Sequence, residues 1–240
     1  MKRVVLMPAY QAGRHLAAVV ARLLATELPG LRAIVVVDDG SNDDTFSVAT
    51  RLAASHPEVR VIRRPSNGGY GAAMKDGLCE ARALGADQVA CVHADGQYSP
   101  ESLPELFAAL ERRGLDVVQG SRIAGGKALS GGMPLYKYVG NAVLNLLENR
   151  TLGLAMTDYH SGYLLYGTRA LAEIPFARLS DSFDFDLEVI ASARARGLQV
   201  GEAPIPTHYG DEISHLDPLR YGARVLRVLW RFQRGHYGKP

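Results

Sequence analysis

Ala33-Ile34-Val35-Val36-Val37 runs without a break into Asp38-Asp39-Gly40-Ser41-Asn42-Asp43-Asp44-Thr45, and this stretch decides the fold. A short β-branched run without polar alternation reads as a strand buried on both faces, the pattern of a parallel sheet covered by helices. It delivers two carboxylates to its carboxyl end, where open α/β sheets place their ligands. Ser41 or Asn42 is placed to cap the helix that follows, and the acids after it suit that helix's positive end. Capping does not explain Asp38 and Asp39, which precede the cap and must be held ionised beside an apolar strand. They are the first candidate binding residues.

Working outward, the alternation repeats. Val4 to Met7, Val59 to Ile62, Gln88 to Val92 and Val117 to Gln119 predict further strands. Leu16 to Ala25, Thr45 to Ala54, Ala72 to Ala83 and Leu103 to Arg112 predict the helices between them. The order predicts an α/β fold, a mostly parallel sheet with helices on both faces. Right-handed crossovers then bring the loops after the strands to one rim. Gly125 to Gly132 is a glycine-rich break read as a mobile loop rather than a domain linker. It follows a nucleotide-binding half (1–122) and opens a second half (123–216), so the chain reads as one domain over 1–240 with a C-terminal helix from 217.

With 240 residues, 47% hydrophobic and 22% charged, the chain can bury a sizeable core. A net charge of +2 is too mild to argue for nucleic acid. No apolar run approaches the roughly 18–20 residues that span a bilayer, and Met1-Lys2-Arg3 leads straight into a strand, so the expected location is the cytoplasm. Cys79 and Cys91 both stand among apolar neighbours and read as buried, reduced thiols.

The rim carries more candidates. Pro8-Ala9-Tyr10-Gln11 follows the first strand, and an aromatic there suits a nucleobase. Asn67-Gly68-Gly69-Tyr70-Gly71-Ala72 is a glycine-rich helix entry whose N–H groups favour anions. Met74 stands where a dinucleotide fingerprint needs a third glycine, which excludes that reading. The fourth strand ends in His93-Ala94-Asp95-Gly96-Gln97-Tyr98-Ser99-Pro100-Glu101. In extended backbone His93, Asp95 and Gln97 share a face, a plausible site for a divalent ion completed by substrate phosphates. Ser99 and Pro100 also read as cap and first residue of a helix.

With Asp39, Asp95-Gly96-Gln97 and Gly120-Ser121-Arg122 in place, the chain resembles the family 2 glycosyltransferases of GT-A (Rossmann-like) fold, most closely the dolichyl- or polyprenyl-phosphate sugar transferases. The resemblance covers nearly the whole chain and includes Thr157-Asp158 and Ser161-Gly162-Tyr163. It implies a GDP- or UDP-linked sugar donor, a manganese or magnesium ion on Asp95, Gln97 and His93, and a lipid-phosphate acceptor. It further implies donor contacts from Pro8, Ala9, Tyr10, Asp38, Asp39, Asn67, Gly71, Ala94, Asp95 and Arg122. Asp158 becomes the candidate general base or acceptor-orienting group, with Asp95 and Arg122 beside it in catalysis. Three positions depart from the family pattern and each removes a charge: Gln11-Ala12 where an acid is usual, His93 for an Asp, and Leu164 for an Arg.

The second half reads as the acceptor side. Leu135 to Leu152 predicts a helix with apolar Leu135, Val139, Val143, Leu146 and Leu147, explained equally by core packing or by the membrane against which the resembled enzymes lie. Phe183 to Glu188 opens another helix with acids in its first turn. His208 and His215 fall in a polar loop able to close over the donor. Arg220, Arg224, Arg227, Arg231 and Arg234 line one face of the last helix, either solvated or lying on anionic lipid as a peripheral contact. A soluble acceptor and a degenerate sugar-nucleotide-binding protein without turnover remain alternatives.

Overall fold

The structure, a computed structural model, describes residues 1–126, 133–206 and 218–238. β1 (Arg3–Ala9), β2 (Leu31–Asp38), β3 (Val59–Arg63), β4 (Gln88–Cys91), β5 (Val117–Ser121), β6 (Leu164–Tyr166) and β7 (Val200–Pro204) form one seven-stranded sheet. Their order is β3-β2-β1-β4-β6-β5-β7. The pairs are parallel except those made by β6, which runs antiparallel to β4 and β5. The helices are α1 (Gly13–Ala25), α2 (Thr45–Ser55), α3 (Tyr70–Ala83), α4 (Leu103–Arg112), α5 (Leu135–Leu152), α6 (Thr168–Glu173), α7 (Phe185–Ala195) and α8 (Pro218–Gln233).

The unbroken apolar strands are explained by two cores, one on each face. Val4, Leu6, Val35 and Val37 join Met74 and Leu78 of α3, Ile190 of α7 and Val228 of α8. Val5, Met7, Ile34 and Val36 alternate to the other side and join Leu16 and Val20 of α1 and Phe107 of α4. Each fully buried Val or Leu contributes about 1.5–3 kcal/mol, so continuous apolarity is stabilising only where both faces are covered. The predicted strands and helices of the first half stand, with ends shifted by a few residues. β6, α6 and β7 had no clear signal, β6 because three buried residues carry no period.

Several expectations are corrected. Ser41 does not cap α2, whose N-cap position is Asp44 with no side-chain cap. Its hydroxyl instead accepts the Gln11 N–H at 3.0 Å, tying the turn after β2 to the turn after β1. Ser99 precedes a 3₁₀ turn, Pro100–Ser102, with Pro100 first as expected, but its hydroxyl bonds Glu101 rather than capping. Cys79 is exposed on the outer side of α3, while Cys91 is buried in β4; neither is in a disulfide. The acids opening α7 do stand in its first turn, as expected, and are buried: Glu188 pairs with Arg231 at 2.6 Å, and Tyr70 donates to Asp186 at 2.9 Å.

The largest surprise is α5. Leu135, Val139, Val143 and Leu146 are exposed, at 66%, 52%, 57% and 69%. The face turned inward carries Asn145 and Glu148, both buried. Core packing therefore does not explain the apolar stripe. α5 packs against α8, where Leu226 and Trp230 are exposed as well. The arginine stripe of α8 is divided: Arg231 turns inward to Glu188, Arg224 pairs with Asp184 while remaining exposed, and Arg227 and Arg234 are exposed. Among the described residues no helix is long and apolar enough to cross a membrane.

Candidate active site at the carboxyl rim

Parallel pairing of β2, β1 and β4 sets Asp39, Tyr10 and His93 on one rim, the ends of β2 and β4 lying roughly 10 Å apart at the usual strand spacing. β5 points the same way, so Arg122 joins them. Because β6 is antiparallel, the segment before it, residues 157–163, enters the sheet from this rim too. That reversal brings the two halves of the chain together.

Asp38 and Asp39 have separate internal partners. Asp38 is fully buried and its Oδ1 accepts the Ser41 N–H at 3.0 Å, with Arg63 Nε 3.6 Å from Oδ2. Asp39, 3% exposed, accepts Gly68 N–H and Gly69 N–H on its two oxygens, each at 2.9 Å, and faces Arg64 Nε at 3.2 Å. The acids thus hold the loops that form the pocket wall. Asn67 is exposed and accepts the Gly69 N–H at 3.0 Å. Gly71 has a packing reason beyond any ligand: a Cβ there would lie 2.2 Å from Ser180 O. Pro8 is half-buried, Ala9 buried, and Tyr10 46% exposed beside Gln11, whose φ of 51° is left-handed.

The expected face-sharing of His93, Asp95 and Gln97 is not how they are arranged. β4 stops at Cys91, and residues 94–96 turn, Gly96 at φ 80°, so period-2 geometry does not apply. Asp95 Oδ1 accepts the Gln97 N–H at 3.0 Å, which fixes its carboxylate. His93 Nε2 lies 3.2 Å from Gly162 O, and its ring sits between Tyr70 and Tyr98, centroids 5.3 and 5.4 Å away. Ala94 is buried behind them and Gln97 is exposed. Gly162 is left-handed, φ 72°, and a Cβ there would meet His93 Nε2 at 2.8 Å, so the imidazole's seat requires glycine. Among the described residues no three His, Cys, Asp or Glu side chains cluster as a self-sufficient metal cage.

Arg122 and Asp158 form the strongest unit. Arg122 donates from Nε to Oδ2 at 2.7 Å, from a terminal nitrogen to Oδ1 at 3.0 Å, and from its backbone N to Oδ2 at 3.2 Å. His160 N–H adds a bond to Oδ1 at 3.0 Å. A carboxylate has about four acceptor positions, so these donors fill Asp158. Burial pushes its carboxyl up, but Arg122 and the His160 N–H outweigh that and hold it below the usual range. Its geometry is that of an anchor for Arg122, and it offers no lone pair for a proton.

Sequence reasoning missed what supports this pair. Glu202 of β7 accepts the Thr157 N–H at 2.8 Å and the Thr157 hydroxyl at 3.0 Å. From α5, Asn145 bonds Thr157 O, and Asn149 bonds Met156 through both backbone groups at 2.8 and 2.9 Å. Ser161 is buried and donates to Gly120 O at 2.5 Å, and Tyr163 donates to Ser99 O at 3.0 Å. These are lattice pins within the protein rather than exposed acceptor contacts. Polar residues at spacing three and four on α5 were the signal available. Leu164 opens β6 fully buried, so the position lies inside the sheet. His208 and His215 lie outside the described residues.

Acids, an anchored arginine and a histidine gather at the strand ends of a crossover sheet, the rim where open α/β folds place their ligands. The chain belongs to glycosyl transferase family 2, whose profile matches residues 4–174. It is 30% identical over 188 residues to the UDP-N-acetylglucosamine–dolichyl-phosphate N-acetylglucosaminyltransferase of Methanococcus voltae, covering 73% of this chain and 74% of that one. It is 31% identical over 206 residues to the polyprenol monophosphomannose synthase of Mycolicibacterium smegmatis, covering 85% and 76%. Its fold is similar to glucosyl-3-phosphoglycerate synthase from Mycobacterium tuberculosis in complex with Mn2+, UDP and glucosyl-3-phosphoglycerate: TM-score 0.71, 17% identity, 96% of this chain and 79% of that one. The chain is a glycosyltransferase of GT-A fold.

Proposed function

We propose that the chain transfers a sugar from a GDP- or UDP-linked donor to a polyprenyl phosphate at the cytoplasmic membrane face, with inversion at the anomeric carbon. The observation that carries the acceptor is α5, where Leu135, Val139, Val143, Leu146 and Leu147 are exposed while Asn145 and Glu148 are buried. Beside it, exposed Arg227 and Arg234 frame Leu226 and Trp230 on α8, an arrangement suited to anionic lipid. Such a surface lets the enzyme reach a lipid-borne phosphate from one side of the bilayer without crossing it.

A divalent cation, manganese or magnesium, suits the donor set: Asp95 supplies the anionic oxygen, with Gln97 and the His93 ring nearby and the donor's phosphates completing the shell. When bound it neutralises charge on the departing diphosphate. Asp39, with Asp38 behind it, Asn67 and Gly71 shape the base and ribose pocket, and Pro8, Ala9 and Tyr10 provide its aromatic edge. Ala94 backs the diphosphate turn, and His208 and His215, outside the described residues, are proposed as donor contacts.

In a single displacement the acceptor phosphate oxygen bonds the anomeric carbon as the bond to the diphosphate oxygen breaks. Positive charge builds on the ring and negative charge on the leaving phosphate, where the Arg122 guanidinium acts. A phosphate acceptor is already ionised at neutral pH and needs no base, which agrees with an Asp158 whose acceptor positions are filled. The test is transfer from GDP-mannose and UDP-N-acetylglucosamine, with manganese, to polyprenyl phosphate in vesicles and to soluble hydroxyl acceptors. Product on soluble acceptors alone would overturn the lipid reading.

A further inference from the structure

Between α5 and α8 lies a buried polar cluster that the reaction as described does not use. Glu148 of α5 is fully buried, and neither carboxylate oxygen has a hydrogen bond among the described residues. The His160 imidazole, 7% exposed, faces it with Nε2 3.3 Å from Oε2. On the other side of the ring, Nδ1 lies 2.9 Å from the Tyr221 hydroxyl of α8, the rings meeting edge to face at 5.4 Å. A buried polar group without a partner is costly, and the His160 ring is the group that stands against Glu148. The backbone N–H of the same residue donates to Asp158 Oδ1.

We propose that His160 is a positioning residue that aims Arg122: α5 and α8 clamp its ring through Glu148 and Tyr221, and its backbone N–H fixes the carboxylate that holds the guanidinium. The inference rests on the reading of Arg122 as the group at the leaving phosphate. It extends that reading by making the two helices that carry the exposed apolar residues part of what orients the site. A small rotation of α8 moves Tyr221, then His160, then Asp158, through contacts of about 3 Å at each link.

His160→Ala strands Glu148 and can fail to fold, so Tyr221→Phe is the deciding variant, since it removes one hydroxyl and keeps the ring. His160→Gln, which keeps a donor and an acceptor, is the conservative comparison. In the whole protein the Arg122 Nε–H signal is followed by 15N NMR, and turnover by transfer from GDP-mannose and UDP-N-acetylglucosamine with manganese. Tyr221→Phe is expected to speed exchange of that N–H and lower kcat, each by roughly 10-fold, with donor KM moved less than about twofold. His160→Gln, with Tyr221 intact, is expected to lie closer to the parent protein on both readouts than Tyr221→Phe does. A purely structural role would lower the melting temperature and leave the Arg122 signal of the folded protein in place, and that result overturns the proposal. Unchanged turnover in Arg122→Ala would instead overturn the role of Arg122, while leaving the NMR test of the clamp intact.

Discussion

Arg122 and Asp158 face each other fork to fork, at 2.7 and 3.0 Å, with the carboxylate fully buried and the guanidinium side chain 16% exposed. The pair joins the end of β5 to the segment before β6, the seam between the two halves of the chain. Breaking one partner of a buried pair typically costs about 3–5 kcal/mol, so Asp158→Asn should be strongly destabilising. Turnover falls because Arg122 loses its aim, but the shape of the pH–rate profile should not change. Disappearance of an acid limb in Asp158→Asn would show instead that Asp158 takes a proton.

Asp95 supplies the negative oxygen of the proposed cation site. In Asp95→Ala the manganese-dependent gain in affinity for GDP or UDP should drop by roughly 10- to 100-fold, read by calorimetry with and without the metal. Equal manganese enhancement in the variant would place the cation elsewhere.

Membrane contact is tested where side chains are free of the fold. Arg231 is a poor choice because it neutralises buried Glu188, and reversing its charge attacks the packing of α8. Val143→Glu with Leu146→Glu, or Arg227→Glu, changes exposed positions and should alter stability by no more than about 0.5 kcal/mol each. Flotation with anionic vesicles should be lost in both. Failure of the unmutated protein to float sinks the lipid reading.

Asp186 gives a pH prediction. Burial raises its carboxyl to about 7, against the opposing bond from Tyr70. Between about pH 4 and 7 the folded state therefore holds a proton that the unfolded chain releases, and stability falls as pH rises through this window. Asp186→Asn should raise the melting temperature at pH 8 relative to the parent, by an amount equivalent to about 1–4 kcal/mol, with the gain vanishing near pH 4. A gain that is constant with pH would contradict the raised pKa.

Gly71→Ala puts a Cβ against Ser180 O, which belongs to backbone and cannot swing aside. Overpacking of this kind costs about 1–3 kcal/mol, measurable by urea unfolding. Gly140→Ala, with open space around its Cβ on α5, serves as control and should be neutral or slightly stabilising.

The sequence alone determined the first five strands and their rim. Strand runs such as Val35-Val36-Val37 and the acids after them are local signals, because a strand buried on both faces must be apolar throughout and must end where polar groups can begin. What the tertiary structure decided is how those groups are used. β6, too short to carry a period, reverses direction and brings Asp158 to Arg122 across an interval of 36 residues. Only that juxtaposition fills the carboxylate and turns a candidate base into an anchor. The outward face of α5 was likewise undecidable from its pattern, since an apolar stripe looks the same toward a core or toward solvent. The fold settled it by turning Asn145 and Asn149 in to hydrogen-bond the backbone of Thr157 and Met156 and Glu148 in toward His160, which leaves Leu135, Val139, Val143 and Leu146 on the outer side.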